Sequence, residues 1–213
     1  MRKILLGALA LVALPSSANA AAFVNGGFES GVAIGSTGFN TLTNGSTAIT
    51  GWTVTGDSID YVGNYWQAGE GSRSIDLSGV GPGGIMQTFD TIVGVTYNVR
   101  FLLAGNPDGG PTTKVMSTVA SGNLPQISSF NIANSTRSDM KWVPVTYSFV
   151  AGADTTTLAF TSGTQTAFGA ALDGVSVTAV PEPATWAMML FGFGAIGGVL
   201  RRSRKTGSAR AYA

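Results

Sequence analysis

The strongest constraint on the fold is an alternating pattern at residues 95–103, where apolar side chains occupy every second position. Successive side chains of a β-strand point to opposite faces, so the pattern predicts a strand with one buried and one solvated face. The buried face would carry Val95, Tyr97, Val99, Phe101 and Leu103. Between residues 23 and 179 no stretch of ten residues has a helical period, so the sequence predicts an all-β domain.

A second alternating strand is predicted at Trp142–Val150. Its inward side chains would be Val143, Val145, Tyr147 and Phe149. Pro144 cannot donate a hydrogen bond to a neighbouring strand, so it predicts an edge position or a bulge.

Shorter β-branched and aromatic runs, separated by turn residues, predict the remaining strands. Turns are indicated at 81–82 and at 106–111, where Gly, Pro, Asn and Asp concentrate. About 160 residues suffice for one core, and the spacing favours a two-sheet β-sandwich at residues 21–179. The predicted strands are Ile59–Val62, Ser74–Leu77, Gly84–Phe89, Val115–Ala120, Thr156–Thr161 and Leu172–Thr178.

Residues 1–20 have the three regions of a secretory signal peptide. Arg2 and Lys3 precede an apolar run at residues 4–14, and Ala18 and Ala20 form a small-residue cleavage site. The alternative is a retained N-terminal anchor, which is disfavoured because eleven apolar residues are too few to span a bilayer. We therefore expect the exported chain to begin near Ala21.

The C-terminal segment combines Pro181, Glu182 and Pro183 with an uncharged run at 184–200 and a basic cluster headed by Arg201 and Arg202. As a helix the run would measure roughly 26 Å, slightly less than a ~30 Å hydrocarbon core. We predict a single transmembrane helix at 184–200, with the basic cluster and residues 206–213 in the cytoplasm.

This order of parts at residues 180–205 resembles the PEP-CTERM sorting signal. The resemblance implies recognition by an exosortase, an integral-membrane cysteine protease of Gram-negative bacteria that export polysaccharide. Pro181, Glu182 and Pro183 would be the processing determinants, and the protein would be anchored only transiently in the inner membrane. The alternative is an ordinary C-terminal membrane anchor.

The charge and composition of the domain exclude several functions. Residues 21–180 carry ten acidic and five basic side chains, a net charge of −5, so nucleic acid is a poor partner. The chain contains no cysteine and no histidine. Zinc, haem, iron–sulfur and histidine-dependent triad chemistry are therefore excluded.

Further segments resemble the choice-of-anchor C family. They include the stretch from Asn25 to Glu29 and those at 51–56, 59–62, 66–68, 71–79, 87–89, 104–111 and 171–177. The resemblance implies a galactose-binding-like jelly roll with interchangeable C-terminal anchors. That family has no established enzymatic activity, and its link to carbohydrate rests on kinship of fold.

A structural calcium ion is a second implication of the galactose-binding-like resemblance. In such jelly rolls calcium bridges a segment near the start to an aspartate entering the last strand, and Asn25, Glu29 and Asp173 match that pattern. Asp173 is in phase with Val175 and Val177, so we expect its carboxylate to point into the domain and to require a partner. The alternative is that Asp173 caps a turn and Glu29 is solvated.

Four aromatic side chains fall within residues 52–66. Aromatic rings with polar edges suit the faces of sugars. The alternative to sugar contact is that Trp52 and Tyr61 are core rings, and we favour this for Trp52. We predict that Tyr65 and Trp66, with Asp60, form a glycan-binding surface beside a turn at residues 63–64.

The sequence predicts an exported, non-catalytic surface or matrix protein that binds polysaccharide or has a structural role. A glycosidase is the alternative from another class, since it needs two carboxylates at a set separation. The candidate carboxylates are Asp57, Asp60, Glu70 and Asp76, but their spacing in the fold cannot be derived from the sequence. A structural or adhesion protein without glycan affinity is the third possibility.

Overall fold

Eleven β-strands build residues 22–180, which the computed structural model describes together with residues 192–193. The strands are β1 (Phe39–Thr43), β2 (Thr53–Gly56), β3 (Ser58–Val62), β4 (Ser74–Asp76), β5 (Gly83–Asp90), β6 (Thr96–Gly105), β7 (Thr113–Ala120), β8 (Gln126–Asn131), β9 (Val143–Val150), β10 (Thr155–Ser162) and β11 (Ala170–Ala179).

The strands form two antiparallel sheets that pack face to face. One sheet has six strands in the order β1-β3-β4-β11-β6-β9, and the other has five in the order β2-β5-β10-β7-β8. Strands distant in sequence are neighbours in both sheets, as in a jelly roll. The prediction of an all-β jelly-roll sandwich is therefore confirmed.

Strand β9 lies at one edge of the six-stranded sheet, pairing only with β6. This confirms the edge position inferred from Pro144. Because none of the described strands pairs with the other side of β9, the missing N–H of Pro144 removes no hydrogen bond between strands there. Val143 points to the inner face as predicted, because it is the register partner of the buried Leu103, but it is 40% exposed at the open end of this edge strand.

The core lies between the two inner sheet faces, where aromatic rings from both sheets meet. Phe101 on β6 and Phe160 on β10 are in edge-to-face contact, with ring centroids 5.2 Å apart. Trp52 is also buried and donates its indole N–H to the Asn25 carbonyl oxygen at 2.9 Å. The prediction that Trp52 belongs to the core is confirmed, and Tyr61 lies there too.

A β-bulge in β11 changes the expected direction of Asp173. Leu172 pairs with the core residue Leu103, so Asp173 lies on the opposite, outer face of the sheet. The register then shifts between residues 173 and 176, with Gly174 in the left-handed region at φ 56°, and Val175 returns to the core. The expectation that Asp173 and Val175 share a face was therefore wrong, although Asp173 is fully buried.

Candidate functional site

Three polar side chains form a row across the outer face of the six-stranded sheet. Thr41 on β1 is the register partner of Asp60 on β3, and Asp60 is the register partner of Asp76 on β4. Their chain neighbours Ile59 and Ile75 belong to the core, so this row faces away from it. Thr41 and Asp60 line a cleft with a volume of about 210 Å³.

Aromatic rings line one side of this cleft. The rings of Phe39 and Tyr65 meet edge to face with centroids 5.0 Å apart, and Trp66 lies 6.0 Å from Tyr65. Trp66 is only 5% exposed, and its indole N–H donates to the Ser74 hydroxyl at 2.8 Å. The prediction that Trp66 is a surface residue was wrong, because its polar atom finds a partner inside the domain. Tyr65 is half-buried.

Two loops that contribute further lining residues are joined by one buried ammonium group. The Lys114 Nζ donates to the carbonyl oxygen of Gly109 at 2.6 Å and to that of Phe168 at 2.7 Å. These carbonyls belong to the loop after β6 and the loop before β11, which bring Asn106, Asp108 and Phe168 to the cleft. Lys114 thereby fixes the two loops relative to each other.

Asp76 lies fully buried beside the same loops. Its carboxyl group accepts hydrogen bonds from the Asn106 amide at 2.7 Å, the Ser78 N–H at 2.9 Å and the Gly169 N–H at 3.0 Å. Burial raises the pKa of Asp76 to about 8, although these donors favour the charged form. Asp76 fastens residues 106 and 169 to the sheet through these bonds.

Asp108 has both carboxylate oxygens engaged. One accepts from Arg137 Nε at 2.8 Å, and the other accepts from the Tyr65 hydroxyl at 2.9 Å. The Arg137 guanidinium also lies 4.1 Å from the centroid of the Tyr65 ring, a cation–π contact. Asp108 and Arg137 thereby hold Tyr65 in a fixed orientation at the cleft.

Asp60 is the carboxylate of the cleft with the fewest partners. Its Oδ1 accepts one hydrogen bond, from the Thr41 hydroxyl at 2.6 Å. Partial burial raises the pKa of Asp60, and the bond from Thr41 opposes that shift. A carboxylate has about four lone-pair sites, so Asp60 can accept further hydrogen bonds from hydroxyl or ammonium groups.

The three residues predicted for glycan contact, Asp60, Tyr65 and Trp66, all line this one cleft. The sequence did not reveal that Thr41, Asn106, Asp108 and Phe168 would join them. The turn pattern at 106–111 was visible in the sequence, but its position over β3 depends on pairing between distant strands.

A sequence model described as "Protein of unknown function (DUF642)" matches residues 21–178. The chain belongs to this family. The resemblance to choice-of-anchor C proteins is not confirmed by this match. A second model, described as the PEP-CTERM protein-sorting motif, matches residues 179–205 and confirms the prediction for the C-terminal segment. The motif identifies this DUF642 protein as an exported protein and implies processing by an exosortase.

Known proteins similar to this DUF642 protein include halomucin of Haloquadratum walsbyi, which is 35% identical over 148 residues. The match covers 68% of this chain, which spans about 2% of the length of halomucin. Similar solved structures include TmCBM61 in complex with beta-1,4-galactotriose, at 15% identity and a TM-score of 0.48, covering 75% of this chain and 99% of that one. A family 35 carbohydrate binding module from Clostridium thermocellum has 15% identity and a TM-score of 0.46, covering 66% and 99%.

In the DUF642 domain, Asp173 contacts a loop that covers the outer sheet face. Its Oδ2 accepts from the N–H groups of Gly69 at 2.8 Å and Glu70 at 2.9 Å, and its Oδ1 accepts from Gly174 N–H at 2.7 Å. Burial raises the pKa of Asp173 to about 7, and the nearby Glu70 carboxylate adds to the shift. These contacts are those expected if Asp173 caps a turn.

Glu29 contacts the same loop a few residues further on. Its Oε1 accepts from the N–H groups of Ser72 at 2.7 Å and Arg73 at 2.9 Å, and its Oε2 accepts from the Ser72 hydroxyl at 2.7 Å. Although burial opposes them, these bonds hold the pKa of Glu29 below its ordinary value. Asn25 hydrogen-bonds to Ser30 and Thr50 instead.

No group of three or more His, Cys, Asp or Glu side chains within residues 22–180 is arranged to hold a metal ion. The calcium hypothesis also uses Asn25 and remains a prediction.

Several predicted segments lie outside the described residues. Among the residues described, no helix is both long and apolar enough to cross a membrane. The signal peptide with Ala18 and Ala20 lies outside them, and so does the predicted transmembrane helix at 184–200 except for residues 192–193. The sorting residues also lie outside; they are Pro181, Glu182, Pro183, Arg201 and Arg202.

Proposed function

We propose that this exported DUF642 protein binds glycans without catalysing their cleavage, at the cell surface or in an extracellular polysaccharide matrix. One observation carries the proposal: Asp60, Tyr65 and Trp66, selected from the sequence for sugar contact, line the same cleft. Export brings this cleft to the compartment where extracellular polysaccharide is found.

The chemistry of the cleft matches that of a sugar ring. A sugar has apolar C–H faces and a rim of hydroxyl groups that donate hydrogen bonds. Phe39, Tyr65 and Phe168 supply apolar ring surface, while Asp60 supplies an acceptor. A mostly apolar cleft with a few placed polar groups is the usual form of a small-ligand site.

The size of the cleft limits what it can hold. Its volume of about 210 Å³ is below the ~300–1,000 Å³ of clefts that enclose drug-sized ligands. We therefore infer that one sugar ring enters the cleft and that the remainder of the chain lies outside it.

The carboxylates of the site support a non-catalytic role over a glycosidase. A glycosidase needs two carboxyl groups that both reach the scissile bond. Asp76, the neighbour of Asp60, is fully buried, and both oxygens of Asp108 already accept hydrogen bonds. Asp60 therefore has no second carboxylate available for the chemistry.

The test is a glycan array and calorimetric titration with the purified protein and a Phe168→Ala variant. Phe168 is 36% exposed at the cleft, so removing its ring should weaken binding at least about fivefold, roughly one kcal/mol of lost contact. Leu124→Ala is the matched control, because Leu124 is an exposed apolar side chain outside the cleft. Failure to bind any glycan would favour a purely structural or adhesion role.

We also propose a structural calcium ion that joins the segment from Asn25 to Glu29 to Asp173. Oxygen ligands of this kind suit calcium. The support is spatial, since the two segments adjoin: Gly26 accepts a backbone hydrogen bond from Val175 at 2.9 Å. An ion there would offset the cost of burying the Asp173 carboxylate.

For the C-terminal segment we propose that Pro181, Glu182 and Pro183 are read by the exosortase while residues 184–200 anchor the chain transiently in the inner membrane of a Gram-negative bacterium. Arg201 and Arg202 would hold the end of the chain in the cytoplasm, as expected for basic residues beside a span. The two prolines restrict the backbone around Glu182, which gives a protease a defined shape to recognise.

A further inference from the structure

We propose that the cleft selects sugars that carry a free, protonated amino group, such as unacetylated hexosamine residues, over neutral and acidic sugars. This inference rests on the proposed glycan-binding function and specifies its ligand.

The other charged groups near the cleft already have partners. Arg137 forms an ion pair with Asp108 at 2.8 Å. The Lys114 ammonium is directed to two backbone carbonyls in the loops, at 2.6 and 2.7 Å. Asp60 forms no ion pair with any residue between 22 and 180, so its negative charge is uncompensated there.

The surroundings of Asp60 strengthen its attraction for a cation. The carboxylate is half-buried on the sheet face and accepts one hydrogen bond, from Thr41. Thr41 uses its hydroxyl proton in that bond, so the floor of the cleft offers acceptors and no free hydroxyl donor. Partly desolvated charges interact more strongly than fully hydrated ones.

The aromatic rings favour the same kind of ligand. Phe39, Tyr65 and Phe168 line the cleft together with Asp60. Arg137 already lies over the Tyr65 ring and Lys114 over the Phe168 ring, so an added ammonium group would use the ring surface that these two cations leave open. An ammonium group is attracted to the faces of aromatic rings as well as to a carboxylate. A neutral hydroxyl group gains less from both, and the carboxylate of a uronic acid would be repelled by Asp60.

The experiment is calorimetric titration of the purified full-length exported protein at pH 6 and low salt. The probes are the trisaccharides of glucosamine, of N-acetylglucosamine and of glucose, and trigalacturonic acid. We expect the glucosamine trimer to bind at least about tenfold more tightly than the other three, as for one charge-assisted contact, and its advantage to shrink as salt rises.

Asp60→Asn tests the residue responsible. The change keeps the shape and an acceptor for Thr41, and we expect it to remove the advantage of the glucosamine trimer while the melting temperature is retained. Asp154→Asn is the control, since it removes the same charge from an exposed turn outside the cleft, and it should leave the advantage unchanged.

Other outcomes separate this inference from the proposed function. Equal binding of the glucosamine, N-acetylglucosamine and glucose trimers overturns the amino-sugar inference and leaves glycan binding intact. If trigalacturonic acid binds more tightly than the glucosamine trimer, the amino-sugar inference is also overturned and glycan binding is left intact. Displacement of the glucosamine trimer by an equal concentration of spermidine would show general cation binding and overturn the inference. No binding of any trisaccharide would overturn both.

Discussion

Asp60 and Asp76 are register partners on β3 and β4, yet one lines the cleft and the other is fully buried. Burial is the main cause that raises the pKa of each, and the charge of Asp60 raises that of Asp76 further. Two adjacent carboxyl groups thus have different environments. The buried group holds the loops in place, and the half-buried one is available to a ligand.

The stability of the domain should fall as pH rises because of Asp76. In the unfolded chain an aspartate loses its proton near pH 3.9, whereas folded Asp76 keeps its proton up to about pH 8. Between these values folded Asp76 binds more protons, so its contribution makes the free energy of unfolding decrease with pH, by at most about 1.4 kcal/mol per unit. Asp173, whose pKa is raised to about 7, adds a decrease of the same sign. Denaturant unfolding of the wild type at several pH values from 4 to 8 measures this slope.

Asp76→Asn provides the comparison, because an amide does not titrate. The variant will be less stable overall, since its NH₂ group meets the Asn106 amide, but its free energy of unfolding should change less between pH 4 and 8. Parallel pH profiles for the two proteins would contradict the assignment of the slope to Asp76.

The strands that sequence reasoning missed are β1, β2 and β8, each at the edge of a sheet. In β1 and β8 polar side chains interrupt the apolar pattern, and β2 has only four residues. An edge strand pairs on one side only and buries less surface, so its pattern is weaker than that of a central strand such as β6. Strand order depends on long-range pairing and was not predictable from local pattern.

The strand pattern in the sequence indicates that Lys114 points inward, but it does not indicate which groups Lys114 contacts. It precedes the predicted strand 115–120 and is in phase with Met116, Thr118 and Ala120, all buried. An inward lysine predicts a partner, since a buried charge must be hydrogen-bonded. That the partners are the carbonyl oxygens of Gly109 and Phe168 follows only from the folded loops.

Lys114→Met should loosen the two loops. The change keeps an unbranched side chain that is one heavy atom shorter but leaves two carbonyl oxygens without their donor, at a cost of about 1–3 kcal/mol in the free energy of unfolding. Amide hydrogen exchange should increase in residues 106–111 and 164–169 more than in the central strands. Lys141→Met is the control, because Lys141 is exposed and its ion pair with Asp139 lies at the surface, where water screens it and it adds little to stability. Equal effects of both changes would contradict this role.

The ring of Tyr65, more than its hydroxyl group, should determine glycan affinity. Tyr65→Ala removes the ring that faces the cleft and should weaken binding about tenfold or more. Tyr65→Phe keeps the ring and loses only the bond to Asp108, so its affinity should stay within about threefold of wild type. Calorimetry with a bound oligosaccharide measures both, and a larger loss for Tyr65→Phe would mean that the Asp108 contact matters more.

Calcium should stabilise the domain if it joins the N-terminal segment to β11. A ligand that binds only the folded state raises the unfolding free energy by RT ln(1 + [L]/Kd), about 2.7 kcal/mol at a hundredfold excess over Kd. Thermal melts with chelator and with added Ca²⁺ measure the shift. Asp173→Asn should abolish it, while Asp139→Asn, at an exposed position, should preserve it. An unchanged midpoint in the wild type would count against the ion.

Processing at the C-terminal motif should depend on Glu182. If the exosortase reads a carboxylate held between Pro181 and Pro183, then Glu182→Ala should leave the chain uncleaved and retained in the membrane fraction. The wild type in a host that contains the protease should lack residues beyond the cleaved bond, and the same chain in a protease-deficient strain should keep them. Intact-mass measurement of the protein from the two strains distinguishes these products.

Glu70→Ala, which removes an exposed carboxylate of the domain, is the control and should be processed normally. A full-length C-terminus in both strains would contradict exosortase processing, because the motif would then act only as a permanent anchor.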